Sequence, residues 1–145
     1  MAEPTLINAA LVTQLLDKLT ETVKGIDDSI PVKFEELTAE TGSLPRMMMS
    51  LIDSGEEESR YISGEAICPI AFSLTLRIGA EDEQDRLDAA YTLNTVASAF
   101  LKDCTALDGF VAYKRPMAGV AHCLGRTDAF EDWQVTFSLK YKEIL

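Results

Sequence analysis

The residues of this chain best suited to chemistry are one histidine and three cysteines: His122, Cys68, Cys104 and Cys123. A cysteine or serine nucleophile needs a general base within hydrogen-bond reach, and His122 is the only imidazole in the sequence. Cys123 follows it in a predicted strand, where adjacent side chains point to opposite faces. The cysteines are odd in number and widely spaced, and no CxxC pair is present, so neither a zinc site nor a redox dithiol is predicted. We predict reduced, mostly buried thiols and no catalytic residues.

Carboxylates are abundant because the chain is acidic, with 24 Asp and Glu against 13 Lys and Arg and a net charge of −11. Glu56, Glu57 and Glu58 form the acidic tip of a predicted turn. The acidic run 81–85 stands where a helix begins, which suits the positive end of the helix dipole. Neither run has the ligand spacing of a calcium loop, and glycine-rich patterns for nucleotides are absent. The sequence therefore predicts no metal and no cofactor.

The same charge excludes two further classes of partner. Nucleic-acid binding needs clustered Lys and Arg, and no basic stripe is visible in the sequence. An acidic surface is repelled by anionic membranes, and the apolar runs are far shorter than the roughly 20 residues that span a bilayer. The N-terminal segment carries no basic region typical of a secretory signal. We expect no membrane association and no tight binding of DNA.

The elements that would position these residues begin with two amphipathic helices, predicted at about 4–24 and 81–102. In the first, Leu11, Leu15 and Leu19 recur at every fourth position, which is typical of one buried face. In the second, one apolar side is expected to contain Leu87, Ala90, Tyr91, Asn94, Ala97 and Leu101, and Leu93, Val96 and Phe100 extend the apolar region. Both helices are long enough to cover one face of a sheet.

Extended segments are predicted at about 30–37, 46–54, 60–62, 68–78, 110–113, 119–126 and 133–142. The strands 68–78 and 133–142 each alternate apolar and polar residues along their whole length, which is typical of a strand with one dry and one wet face. We predict an α+β fold made of one domain, residues 1–145. It has an antiparallel sheet of about four to six strands with two long helices packed on one face.

Polar strand faces and loops are the places where a neighbouring chain would bind. The candidate contact segments are 38–45, 53–59 and 109–119. The candidate contact residues are Met48, Glu56, Glu57, Glu58, Arg60, Arg115 and Arg126. Met48 alternates with Met47 and Met49, so one side of this strand faces the core, and Met48 serves either core packing or contact with a partner.

The order of these elements resembles the tail-terminator, or minor capsid, proteins of long-tailed bacteriophages. The resemblance lies in the N-terminal helix, the strand 68–77, the helix 81–102 and the final strand with its closing residues 141–144, and it spans nearly the whole chain. It implies a homo-oligomeric ring, usually a hexamer, that caps the tail tube and stops its polymerisation. The implied partners are other copies of the chain, the tail tube protein and a head-completion or connector protein. The implied location is the virion, after assembly in the cytoplasm of the bacterial host.

Two other functions stay open at this point. One is a head-completion or adaptor protein that joins head to tail without controlling tail length, and the other is a small enzyme or ligand-binding domain. For a ring, the acidity suggests a further hypothesis: carboxylates such as those of Glu56, Glu57 and Glu58 line the lumen, so that DNA passes through without being bound.

Overall fold

The structure is a computed structural model that describes residues 9–37, 44–53, 59–60, 66–79 and 81–144. Glu56, Glu57 and Glu58 lie outside these ranges, as do parts of the candidate segments 38–45 and 53–59. Two helices and nine strands occur in the described ranges. In chain order they are α1 (Ala9–Ile26), β1 (Val32–Phe34), β2 (Arg46–Ile52), β3 (Ser59–Arg60), β4 (Ala66–Ile78), α2 (Glu83–Asp103), β5 (Ala106–Leu107), β6 (Phe110–Ala112), β7 (Met117–Ala118), β8 (His122–Arg126) and β9 (Glu131–Glu143).

Both helices lie at their predicted positions in the described residues, and the predicted start of the first helix, near residue 4, lies outside those residues. The described part of α1 buries Leu11, Leu15, Leu19 and Val23 along one face and ends at Ile26. Helix α2 begins after Asp82, whose side chain accepts a hydrogen bond from the Asp85 backbone N–H at 3.0 Å. Such a cap satisfies one of the amide groups that the first turn leaves without a partner. The acidic run therefore starts the helix, as the sequence analysis expects.

The sheet is organised around the pairing of β4 with β9. The two strands run antiparallel and form twelve residue pairs, from Ile67 opposite Lys142 to Ile78 opposite Glu131. The main strand order is β1-β2-β4-β9-β6-β5, with β3 beside β4 and with β7 and β8 beside β9. One pairing departs from the predicted antiparallel sheet, because β1 runs parallel to β2. The α+β class is confirmed, but the sheet is mixed and has more strands than predicted.

The core lies between the helices and one face of this sheet. Odd-numbered side chains of β9 and even-numbered side chains of β4 face the buried sides of both helices, so the cluster is continuous. At its centre, Phe72 stacks on Phe137 with ring centroids 4.7 Å apart, and Phe100 of α2 meets both rings nearly edge-on. Aromatic pairs in these geometries contribute beyond the area they bury. This contact fixes α2 on the sheet.

The opposite face of the sheet is less solvated than its polar sequence predicts. Ser73 and Thr75 point away from the helices, yet they are only 3% and 2% exposed. The side chain of Gln134 lies across Thr75 and donates to its hydroxyl at 3.3 Å. These short side chains belong to the central strand, where longer side chains of the flanking strands shield them. The prediction of a wet face is therefore wrong at these two positions, while Ser138 on the same face is exposed.

Because of Tyr141, the stability of the fold is predicted to depend on pH in the alkaline range. Its hydroxyl is buried and donates to the Cys104 carbonyl at 2.7 Å, and burial raises the pKa of Tyr141 well above its usual value. Its contribution to stability is complete below pH about 10, where the unfolded chain also holds the proton, and falls as pH rises further. We expect Tyr141→Phe to lower the free energy of unfolding by about 1 kcal/mol at pH 8. The difference should vanish by about pH 11, because deprotonation of the unfolded chain then destabilises only the wild type.

Urea unfolding at the two pH values measures this difference. Tyr113→Phe is the matched control because Tyr113 is exposed. A loss of stability for Tyr141→Phe that is the same at both pH values would contradict the assignment.

Candidate interaction surfaces

Glu131 is a buried carboxylate that ties three elements together. It is 3% exposed, and its Oε2 lies 2.9 Å from Arg86 Nε and 3.3 Å from Arg126 Nε. Trp133 Nε1 donates to its other oxygen at 3.3 Å. Arg86 belongs to α2 and Arg126 to β8, while Glu131 begins β9. Because each polar group has a partner, this cluster reads as a structural clamp, not as a general acid or base.

The predicted contact residues lie on separate parts of the fold. Arg126 pairs with Glu131, so its guanidinium has an intramolecular role although the side chain is about half exposed. Arg115 is exposed in the connection between β6 and β7. Arg60 lies in β3, beside the start of β4, and only its place in that strand is described. Met48 lies in β2. The structure does not bring these four residues together into one site.

Met48 does face away from the core, as alternation predicts. Met47 and Met49 are fully buried, whereas Met48 is half-buried and lies opposite Lys33 on one side and Thr75 on the other. Its neighbours place it on the polar face of the sheet. Whether a partner covers it stays a prediction.

The only histidine and the neighbouring cysteine do not form a catalytic pair. His122 lies opposite Gln134 and Cys123 opposite Trp133, so the two side chains are on different faces of the sheet. The His122 ring contacts the Val120 carbonyl at 3.1 Å, and the Cys123 thiol lies 3.7 Å from the Gly125 carbonyl. Cys68 and Cys104 are buried. The opposite orientation predicted for this pair is confirmed.

One cleft of about 360 Å³ opens where the end of α1, the start of α2 and the end of β4 meet. Asp27, Asp85 and Asp88 lie on its wall beside apolar residues. Hydrogen bonds from Ser29 lower the pKa of Asp27, and Asp85 accepts from the Glu81 backbone N–H at 2.8 Å. These two carboxylates are therefore engaged in local turn and cap structure. In the described ranges no group of three His, Cys, Asp or Glu side chains is arranged to hold a metal ion.

An exposed apolar ridge on α2 is a feature that the sequence prediction misplaces. Leu87 and Tyr91 are 59% and 73% exposed, although the periodicity assigns them to the apolar side. The buried face of α2 instead consists of Ala89, Leu93, Val96, Ala97 and Phe100. Those residues lie along one side of the helix that faces the core, and Leu87 and Tyr91 lie on the opposite, solvent-exposed side. We call Leu87 and Tyr91, with the adjoining exposed acids Glu83 and Asp88, the α2 ridge.

A second exposed group lies beside β9 on the other layer of the fold. Val111 pairs with Lys142 and Met117 with Ser138, so both point away from the helices with the even-numbered side of β9. Tyr113 donates its backbone N–H to the Lys140 carbonyl at 2.8 Å, and Met117 is 66% exposed. Between them, Lys114 and Arg115 are exposed. We call Val111, Tyr113, Lys114, Arg115 and Met117 the β6–β7 patch. All five lie in the segment 109–119, which the sequence predicts as a contact segment, and Arg115 is the one predicted individually.

Charge is divided between the two layers. By strand register, the face of the sheet that points away from the helices carries Lys33, Arg46, Arg77, Lys140 and Lys142. Asp132 lies on the same face and pairs with Arg77, whose guanidinium also covers the Phe130 ring. The start of α2 carries Glu81, Asp82, Glu83, Asp85 and Asp88. A net charge of −11 thus conceals an acidic helix layer and a basic strand face.

Comparison with known proteins identifies the fold and no family. No family model matches this chain, and no curated protein matches it. A solved protein whose name describes no activity superposes with a TM-score of 0.54 at 14% identity, covering 97% of this chain and 98% of that chain. At this identity the likeness concerns the fold alone. A chain from the virion of a native gene transfer agent particle superposes with a TM-score of 0.43 at 10% identity, covering 93% and 99%.

Neither described helix is long and apolar enough to cross a bilayer. The predicted absence of a membrane partner rests on the charge argument of the sequence.

The Glu131 clamp makes a specific prediction about stability. Glu131→Gln keeps the shape of the side chain but leaves Arg86 and Arg126 without their carboxylate. We expect the free energy of unfolding to fall by about 1–3 kcal/mol, less than for a fully buried pair because both arginines are partly exposed. Asp128→Asn removes the same charge from an exposed turn and should change it by less than about 0.5 kcal/mol. Equal effects of the two variants in urea unfolding would contradict the clamp.

Proposed function

We propose that this chain is a structural protein of a long-tailed bacteriophage or prophage. In this proposal copies of the chain form a ring at the end of the tail tube, stop its polymerisation and present the surface that docks to the head. The observation that carries the proposal is the exposure of large apolar side chains on the α2 ridge and on the β6–β7 patch, two of the places where the described residues expose such side chains. Exposed apolar clusters mixed with charge are typical of surfaces that bind other proteins.

The arrangement of the fold supports an assembly role over a catalytic one. Glu131 is held by two arginines, and Cys68 and Cys104 are buried. The exposed His122 and the half-buried Cys123 lie on different faces of the sheet. The order of a first helix, a long strand, a second helix and a final long strand fits the resemblance to tail terminators. A ring needs two different surfaces on each copy, because each interface joins one surface to the other. This chain offers two such surfaces.

Tail length is the property that tests termination directly. We expect inactivation of this gene in the phage or prophage that carries it to give tails longer than normal, because nothing stops the tube protein from adding. Electron microscopy of the lysates measures tail length, and a plasmid copy of the wild-type gene is the control that should restore it. Tails of normal length lying free beside full heads would contradict termination and indicate a head-completion adaptor instead.

The acidity of the chain fits a ring through which DNA passes without being bound, with the glutamates 56–58 among the groups proposed to face the lumen. Replacing all three by Gln should increase retention of DNA by assembled rings, because fewer charges repel the phosphates. A filter-retention assay at low salt measures it. Asp17→Asn with Glu21→Gln and Asp28→Asn removes three charges from exposed positions elsewhere. If both triple variants retain DNA to the same degree as the wild type, glutamates 56–58 do not face the lumen.

A further inference from the structure

The two exposed surfaces have opposite charge, which suggests what covers each of them. On the α2 ridge, Glu83 and Asp88 flank the apolar pair Leu87 and Tyr91. Asp88 accepts a hydrogen bond from the Gln84 side-chain amide at 2.9 Å. No Lys or Arg of α2 shares this side nearby, because Arg86 turns toward the sheet to reach Glu131. The ridge is an apolar strip with an acidic border.

The β6–β7 patch has the complementary composition. Its apolar members Val111, Tyr113 and Met117 surround the exposed basic pair Lys114 and Arg115. The backbone of this segment is fixed to β9 at three points, through Val111, Tyr113 and Met117. A surface held in this way loses little conformational entropy when a partner binds.

The surfaces cannot meet within one copy of the chain. Tyr91 lies on the side of α2 opposite its buried residues, so it points away from the sheet. Val111 and Met117 share the face of the sheet that points away from the helices. Contact between ridge and patch therefore joins two copies. It is a heterologous contact, in which each copy uses its ridge toward one neighbour and its patch toward the other.

We propose that the α2 ridge of one copy docks on the β6–β7 patch of the next. This inference rests on the proposed function and assigns the surfaces that hold its ring together. Leu87 and Tyr91 pack on Tyr113 and Met117, while Glu83 and Asp88 face Lys114 and Arg115. The charge pairs fix the register and exclude the pairing of ridge with ridge or patch with patch, because like charges then oppose each other.

A charge-swap experiment tests this pairing. One variant carries Lys114→Glu and Arg115→Glu, so that its ridge and patch are both acidic; the other carries Glu83→Lys and Asp88→Lys, so that both are basic. Sedimentation velocity over a concentration series measures assembly of each. We expect each variant alone to need at least about tenfold higher concentration to assemble than the wild type. Their equimolar mixture should assemble again, in alternating order, and so should the variant that carries all four changes.

Two controls separate the contact from general effects of charge and folding. Lys24→Glu with Lys102→Glu changes the net charge as much as the first variant but alters exposed positions outside both surfaces. It should assemble like the wild type. Thermal unfolding of every variant by circular dichroism should show a folded chain, because all the changed side chains are exposed.

The outcomes distinguish the interface from the function. If the wild type assembles and both charge variants assemble equally well, the ridge and patch do not meet and the proposed pairing is wrong, while the ring itself stands. If each variant fails alone and their mixture also fails, the pairing is again wrong. If the wild type stays monomeric at every concentration and inactivating its gene leaves tail length normal, the proposed function fails first.

Discussion

The pairing of β4 with β9 is the constraint on which the rest of this structure depends. Its twelve residue pairs bring positions 67–78 next to positions 131–142, which makes it the longest ladder in the described sheet. Because side chains alternate, the register decides at once which residues face the helices. A shift of either strand by one residue would move its phenylalanine, Phe72 or Phe137, from the core to the other face and break the ring contacts that hold α2. All other described strands except β1 and β5 pair directly with one of these two.

The dominance of this one strand pairing explains how much of the fold can be predicted from the sequence. Long alternating strands and long amphipathic helices carry strong local signals, and the predicted segments match β4, β9 and α2 to within about two or three residues at each end. The parallel direction of β1 has no local signal, because a strand of three residues is directed by its partner β2. The burial of Thr75 likewise depends on Gln134, which is 59 residues away in the chain. Long-range contacts decide such details.

The exposed residues of the two candidate surfaces also could not be predicted from local sequence patterns. Apolar periodicity assigns Leu87 and Tyr91 to the buried side, but the helix can bury only one stripe, and the Phe100 contact with the sheet selects the stripe that contains Leu93 and Val96. The residues left over are the ones available to a partner. Val111 and Met117 lie in strands of two or three residues, too short for alternation to indicate a face. The sequence indicates the segment 109–119 as a contact region and Arg115 within it, but not which of its apolar side chains are exposed.

Strand β9 also fixes the positions of the two surfaces relative to each other. The α2 ridge is held near the first residue of β9, because Glu131 binds Arg86, which directly precedes Leu87 in α2. The β6–β7 patch is held near the last residues of β9. Val111 pairs with Lys142, and the Tyr113 backbone N–H donates to the Lys140 carbonyl. In a heterologous assembly the angle between the two contact surfaces decides whether copies close into a ring or grow as an open filament. In the ring proposed above, β9 sets this angle, because its thirteen residues connect the elements that carry the two surfaces.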